Sequence, residues 1–506
     1  MWSFLFRNKK CIFHLRKIFL LSKLYLFANV TEVVNHMSRV FNKKILSFAL
    51  SIVIGAFIWN LTPPEGVTSQ AMHMFAIFIF TVIGIILRPV PIGTFAFLGL
   101  VLTAATKTLS FDQAFSGFVH PIVWLIVIAF FISRGFIKTG LGERIAYIII
   151  KYLGKSTLGM GYGMILTDLV LAPAIPSVTA RVGGIIYPIV NSLAKAFGSE
   201  PYSHPRRLGS FLMKATFQGS IITSGMFLTS MAGNPLVAEI AGGIGVNITW
   251  GGWALAASVP GLICLGIIPL FLYKVYPPEV KETPNARSFA IKKLKEMGKM
   301  RIQEWIMIFS FVLLITLWIL GPFIAMPAVI AALIGLVILL LTSVLSWDDV
   351  IKEKGAWNTL MWFATLIMMA TYLNTLGLTT WFSGFVQGHV QGFPWFTAFI
   401  ILALVYFYSH YFFASIVAHI GSMYSAFLVL MVALGAPPMI SALTLGFFSN
   451  MMGGLTHYGC GPAPIFFGSG YVKITDWWKF GLFASLINIL IYFTIGTGWW
   501  KVLGHL

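Results

Sequence analysis

Charge is what this 506-residue chain has least of: Asp, Glu, Lys and Arg make up 10% of it, against 58% hydrophobic residues. An ordinary soluble domain carries about 25% charged residues. So few charges cannot cover a water-soluble fold of this length, and that class is excluded. Cysteine is scarce too. Cys11, Cys264 and Cys460 are too few and too scattered for a disulfide framework or a metal-ligand spacing. HExxH, GxSxG and Walker sequences are missing, which argues against a hydrolase and against ATP-driven transport by this chain. Nothing in the residues calls for a cofactor. What remains is an all-α, polytopic membrane protein.

Positive charge, by contrast, is in excess, at net +19. Nucleic acid is not the explanation, because the charges are in the wrong places. Residues 1–44 hold nine Lys/Arg against Glu32 alone, and residues 274–304 hold eight against four Glu. Both stretches flank apolar spans, where the positive-inside rule accounts for them and puts both on the cytoplasmic side. Residues 1–36 are too poor in Ser for a plastid-type transit peptide. Met37 opens a natural alternative start, so residues 1–44 read as a basic, poorly ordered cytoplasmic extension.

A membrane span needs about 20 predominantly apolar residues. Candidate spans are 45–61, 71–87, 90–106, 121–137, 221–231 with its upstream neighbours, and 253–273. After a basic linker at 275–304 come 305–320, 327–345, 360–378, 396–434 and 477–499, about eleven crossings in all. Gly- and Pro-rich patches around 158–185, 225–245 and 446–470 are too interrupted for clean spans and read as unwound helices or re-entrant hairpins.

An internal repeat organises these spans. LGLVLTAATKTLSFD at 98–112 and IGLVILLLTSVLSWD at 334–348 agree at seven of fifteen positions. Gly140-Leu141 answers Gly377-Leu378, and Ser177 answers Ser415, at a slowly drifting offset. With two cytoplasmic basic segments and one extra helix at 45–61, each unit crosses an odd number of times. The copies, about 71–274 within 45–274 and about 305–500 within 305–506, should then be inverted, as in secondary transporters with a midplane site at discontinuous helices.

Two polar patches occur in both units. In the first, Pro173 and Pro176 break a helix before Ser177, Thr179 and Arg181, and the second copy has Ser415 and His419. A helix restarting at Ser177 offers free N–H groups and a positive dipole end to a carboxylate. The bland alternative is a proline kink with a snorkelling Arg, but Arg in so apolar a segment is usually functional. The second patch runs Thr229, Gly233, Asn234, Pro235 and, in its copy, Thr456, His457, Gly461, Pro462. Both copies read Thr-x5-Pro; a bare Gly/Pro kink is the plainer reading of either alone. Asp168 could carry a proton, pair with Arg181, or sit at an interface, and His410 reads as packed.

The stretches PSVTARVGGIIYPI, SGMFLTSMAGNPLVAEIA, HYFFASIVAHIGSMYSAF and THYGCGPAPIFFGSGYV resemble the divalent anion:sodium symporter family, in its branch of 2-oxoglutarate/malate translocators and citrate/succinate exchangers. The resemblance covers about residues 45–500. It implies an elevator-type homodimer with two helical hairpins, here at about 157–200 and 395–434, and a C4–C5 dicarboxylate held between their tips and the unwound segments 233–235 and 459–462. Bacterial inner membrane is the first expectation for location and an organelle inner envelope the second.

The sequence departs from the family at one point. Sodium-coupled members carry Ser-Asn-Thr at both tips, whereas Val178 and Ile416 occupy the Asn positions here and Val417 replaces the second Thr. Apolar side chains cannot ligate a hard cation. Exchange without Na⁺ is therefore expected, with Arg181 and His419 supplying positive charge. The competing arrangement is an Arg181–Asp168 pair with His419 merely packed. Na⁺-coupled dicarboxylate uptake is the runner-up function. A membrane enzyme using His410, His419 or His457 would need a nucleophile or metal set that the sequence does not contain.

Overall fold

Prolines set where many helices begin, because the first turn leaves backbone N–H groups unpaired and proline has none to lose. Pro91 and Pro327 cap helices Ile92–Ala105 and Ala328–Leu341, Pro121 opens Pro121–Thr139, and Pro394 caps Trp395–Tyr408. The computed structural model describes residues 44–389 and 394–505, so the basic extension of residues 1–43 lies outside the described residues. No β-strand occurs among them; there is one isolated bridge, Ser156 to Glu282.

In chain order the first half holds α1 (Lys44–Trp59), α2 (Ser69–Leu87), α3 (Ile92–Ala105), α4 (Pro121–Thr139), α5 (Leu141–Leu153), α6 (Thr157–Leu171), α7 (Tyr187–Ala196), α8 (Gly209–Met226), α9 (Gly233–Gly242) and α10 (Trp250–Val275). The basic linker forms α11 (Asn285–Met297). The second half holds α12 (Ile302–Leu320), α13 (Ala328–Leu341), α14 (Lys354–Thr375), α15 (Leu378–His389), α16 (Trp395–Tyr408), α17 (Ile416–His419), α18 (Ser425–Ala433), α19 (Pro438–Met451), α20 (Ala463–Gly468) and α21 (Ile474–Ile491). Eight helices among the described residues are long and apolar enough to cross a membrane, and α1, α3 and α13 are shorter apolar ones.

The two halves turn the same corners. Left-handed backbone occurs at Arg88 and Ala325 (φ 50° and 51°), Lys107 and Ser343 (55° and 57°), and Gly140 and Gly377 (76° and 82°). Such φ values are rare for residues other than glycine, so their return at the repeat offset is not coincidence. Capping boxes also recur, Ser110 with Gln113 and Ser346 with Asp349.

Packing divides the helices into two sets. In one, α3 lies on α14 and α13 lies on α4, so the repeat-related helices α3 and α13 each pack on the helix of the other half that answers the one following them. In the other, α8 is surrounded by α6, α10 and α19, and all its residues are buried. The best apolar window of α4 is 72% buried, while that of α12 is 28% buried. Trp305, Phe309, Val312 and Ile319 of α12 point outward, an apolar face that needs lipid or another copy to cover it.

Two span assignments need correction. The span expected at 221–231 with its upstream neighbours is α8, which starts at Gly209 but stops short of Met231, at Met226, where Phe227 turns extended (φ −132°, ψ 150°). The patch 158–185 is less interrupted than its glycines suggest, because α6 runs unbroken to Leu171 before the prolines act. Gly159, Gly161 and Gly163 sit within it and give close packing, Gly161 against Phe211 for example.

Candidate functional site

Both tips are built alike. α6 ends in a 3-10 turn at Ala172–Ala174 and α16 in another at Ser409–Phe412. The chain restarts as helix at Ser177 and Ser415, whose Oγ atoms accept from the N–H of Ala180 (3.2 Å) and Ala418 (3.3 Å). Each serine is therefore an N-cap. The remaining first-turn N–H groups have no partner inside the helix, at the end where the dipole favours an anion. Both restarts then widen into π-helix, at Thr179–Ile186 and Ile420–Tyr424, a geometry frequent at functional sites.

Each tip touches the broken segments of both halves, and the closest of these approaches cross between the halves. A Cβ on Gly461 would overlap Thr179 Oγ1, and one on Gly233 would lie 2.7 Å from Ile420 Cδ1. Glycine at these two positions is what allows the approach. The first tip thus meets the second half's broken segment, and the second tip meets the first half's. Thr179, two residues after Ser177, is brought against Gly461 in this way, and Ile420, five residues after Ser415, against Gly233.

The side chains of the broken segments serve unequal roles. Asn234 is buried; its Nδ2 donates to the carbonyls of Ser224 (2.8 Å) and Phe227 (3.0 Å), and its Oδ1 accepts from Asn450 Nδ2 (2.7 Å). Thr229 Oγ1 donates to the Pro173 carbonyl (2.7 Å) and accepts from Trp250 Nε1 (3.1 Å). Asn234 satisfies carbonyls that the end of α8 has abandoned, and Thr229 ties the α8–α9 break to the turn after α6. Pro235 follows in the first turn of α9, and Pro462 caps α20. Thr456 Oγ1 is buried with no hydrogen-bond partner among the described residues. His457 is half-buried, and its Nδ1 accepts from Trp478 Nε1 (3.1 Å).

Arg181 is placed by the competing arrangement. It is fully buried, with Nε 2.8 Å from Asp168 Oδ1. Its Nη1 donates to the carbonyls of Ile175 (2.6 Å) and Ser230 (2.8 Å), and Nη2 to Ser224 Oγ (3.3 Å). Thr223 Oγ1 donates to the other oxygen of Asp168. The guanidinium, expected to turn its charge to a substrate, here ties the tip to α6 and α8, as a buried charge is tolerated only when paired and hydrogen-bonded. His419 is also buried, but not merely packed. Its Nδ1 lies 3.0 Å from His410 Nδ1, and its ring stacks on Phe413.

Sequence reading missed Ser224 and Asn450, polar residues on helices apolar enough to pass as core, and Ser230 in the turn that follows α8. Their only signal is that small hydroxyls and an amide recur just before the breaks in α8 and α19. His410, read as packed, is the partner of His419.

Comparisons with known proteins follow from this geometry. The chain is 53% identical over 463 residues to a Bacillus subtilis (strain 168) protein named "Putative malate transporter YflS", covering 91% of this chain and 97% of that one. It is 50% identical over 458 residues to "Dicarboxylate transporter 1, chloroplastic" of Spinacia oleracea, covering 90% and 80%. The crystal structure of the Alcanivorax borkumensis YdaH transporter is similar in fold, with TM-score 0.52, 13% identity, and 92% and 98% of the two chains covered. A family described as "Sodium:sulfate symporter transmembrane region" matches residues 42–506, and the chain belongs to it: this is a multi-pass membrane transporter of that family, and not an enzyme.

Proposed function

We propose that this protein exchanges C4–C5 dicarboxylates across a membrane, with 2-oxoglutarate and malate or succinate as the pair. The observation that carries the reading is the meeting of two Ser-capped helix starts with two proline-broken segments. Two positive helix ends suit a ligand with two carboxylates. Relatives named for malate and dicarboxylates support the choice. The substrate would contact the tips at Ser177, Thr179 and Ser415 and the broken segments at Gly461 and Thr456. Thr229, Asn234 and Arg181 would position that site from behind.

In this reading the units 71–274 and 305–500, preceded by the extra helix at 45–61, are inverted in the membrane, with the N-terminus and the 275–304 linker cytoplasmic. Hairpins at about 157–200 and 395–434 move with α8 and α19 as an elevator. The α2–α4 and α12–α14 set stays fixed and forms a homodimer through the outward face of α12. A bacterial inner membrane is the proposed location.

The test is exchange in proteoliposomes preloaded with 2-oxoglutarate, with labelled malate outside and a panel of unlabelled dicarboxylates as competitors. Uptake that requires internal dicarboxylate and persists when choline replaces Na⁺ is the expected result. Uptake into empty vesicles that collapses in choline would mean Na⁺-coupled symport instead, the activity for which the family is described.

A further inference from the structure

A chain of four polar contacts runs through the second tip. His410 Nε2 lies 2.9 Å from the Gly459 carbonyl, and His410 Nδ1 lies 3.0 Å from His419 Nδ1. His419 Nε2 lies 3.2 Å from Ser409 Oγ, which in turn lies 2.8 Å from the Tyr406 carbonyl. Both ends of this chain are carbonyl oxygens, which can only accept. Every one of the four contacts therefore needs its own proton to be a hydrogen bond. Two neutral imidazoles and one hydroxyl bring three. Whatever tautomers are chosen, one contact in the neutral state is left without a proton. A fourth proton completes all of them at once and gives the chain a single positive charge.

The surroundings say when that proton would be held. His410 and His419 are fully buried, and a lone buried cation is costly. No carboxylate forms an ion pair with either ring among the described residues. From α16 the Tyr406 ring faces His419 at 4.7 Å, its hydroxyl bonded to Ser449 of α19. From α18's side, Met423 Sδ approaches Ser409 at 3.5 Å, while Tyr424 donates to the Ala442 carbonyl. The broken segment contributes the buried Cys460 and Thr456, and His457 is held by Trp478. From α2, Arg88 reaches the Ala414 carbonyl at 3.3 Å. None of these is an anion, so nothing built into the protein offsets an imidazolium.

A dicarboxylate at the tips would. His419 stands one helical turn after Ser415, and His410 is bonded to Gly459 in the segment that carries Thr456 and Gly461. We infer that the His410–His419–Ser409 chain is a proton-binding site filled together with the substrate, so that a dicarboxylate dianion and one proton load the transporter as a unit. This rests on the dicarboxylate reading above. The proton would also fasten the tip to the broken segment, since the completed chain spans both.

Calorimetric titration of the purified full-length protein with malate tests it. At pH 7 both malate carboxylates are ionised, and repeating the titration in buffers of different ionisation enthalpy counts the protons taken up. About one proton per bound malate is expected for the wild type and about none for His419→Gln. Ser409→Ala keeps both rings but removes the acceptor for the fourth proton, and its uptake should also fall to near zero even if His419→Gln does not fold. Malate binding with no proton uptake by the wild type would overturn the proton site and leave the transport reading standing. Failure of every dicarboxylate tested to bind would overturn both.

Discussion

Replacing Arg181 with Met would leave the Asp168 carboxylate buried without its partner. Breaking a buried pair from one side costs about 3–5 kcal/mol, whereas replacing both members with apolar groups costs far less. Arg181→Met should therefore lower thermal stability sharply, and Arg181→Met/Asp168→Leu should recover much of it. A single variant as stable as the wild type, with weakened malate binding, would return Arg181 to the substrate. That an arginine at 181 matters was legible in the sequence, because so few charges interrupt the apolar stretches. Where its charge points was not. Its partners lie 13, 43 and 49 residues away at Asp168, Ser224 and Ser230, and no spacing rule relates them. The pairing of His410 with His419 was hidden for the same reason, since the tip's break redirects both rings.

Among the elements, the first tip and the second broken segment meet with no room for a side chain at Gly461. Gly461→Ala would drive a methyl into Thr179 Oγ1, and transport should be lost while the protein still folds. Thr179→Ala removes the obstructing oxygen, so the double variant should transport better than Gly461→Ala alone; equal loss in both would assign Gly461 a different role. The short helix Trp347–Lys352 carries another local dependence. Partial burial pushes the Asp349 carboxyl up, but hydrogen bonds from Lys138 and from the Ser346 N–H and hydroxyl outweigh it and bring it down to about 2. A depressed carboxylate stabilises the fold at pH values above its ordinary 3.8 and stops doing so as pH falls towards 2. Asp349→Asn should be less stable than the wild type at pH 7, by about 0.5 kcal/mol for so exposed a pair. Melting curves of the two proteins should draw together as pH falls from about 4 through 2, and a difference unchanged over that range would have another origin. Helix positions were readable from apolar runs and prolines. The stop of α8 at Met226 was not, because the sequence stays apolar through Phe227 and Leu228 while the backbone turns away.

Across the whole molecule, the two helix sets touch at a few polar points: Arg88 on the Ala414 carbonyl, Asn374 Nδ2 on the Gly243 carbonyl (2.9 Å), and His120 Nε2 3.2 Å from Glu239. If one set moves past the other, these contacts must part in each cycle. Cysteines introduced at Gly243 and Asn374, once oxidised to a disulfide, should abolish exchange, and reduction should restore it. Full activity in the oxidised protein would exclude sliding at this interface. The duplication was legible from fifteen residues, and the recurring left-handed corners extend it through both halves; which helices exchange partners was not, since apolar faces look alike in sequence. That exchange bears on how the chain is made. When a ribosome has completed α10, α3 and α4 are already in the bilayer, but the helices that cover them, α14 and α13, do not yet exist. Until the second half is inserted, lipid has to stand in for those missing neighbours, and the first half is a template awaiting its complement.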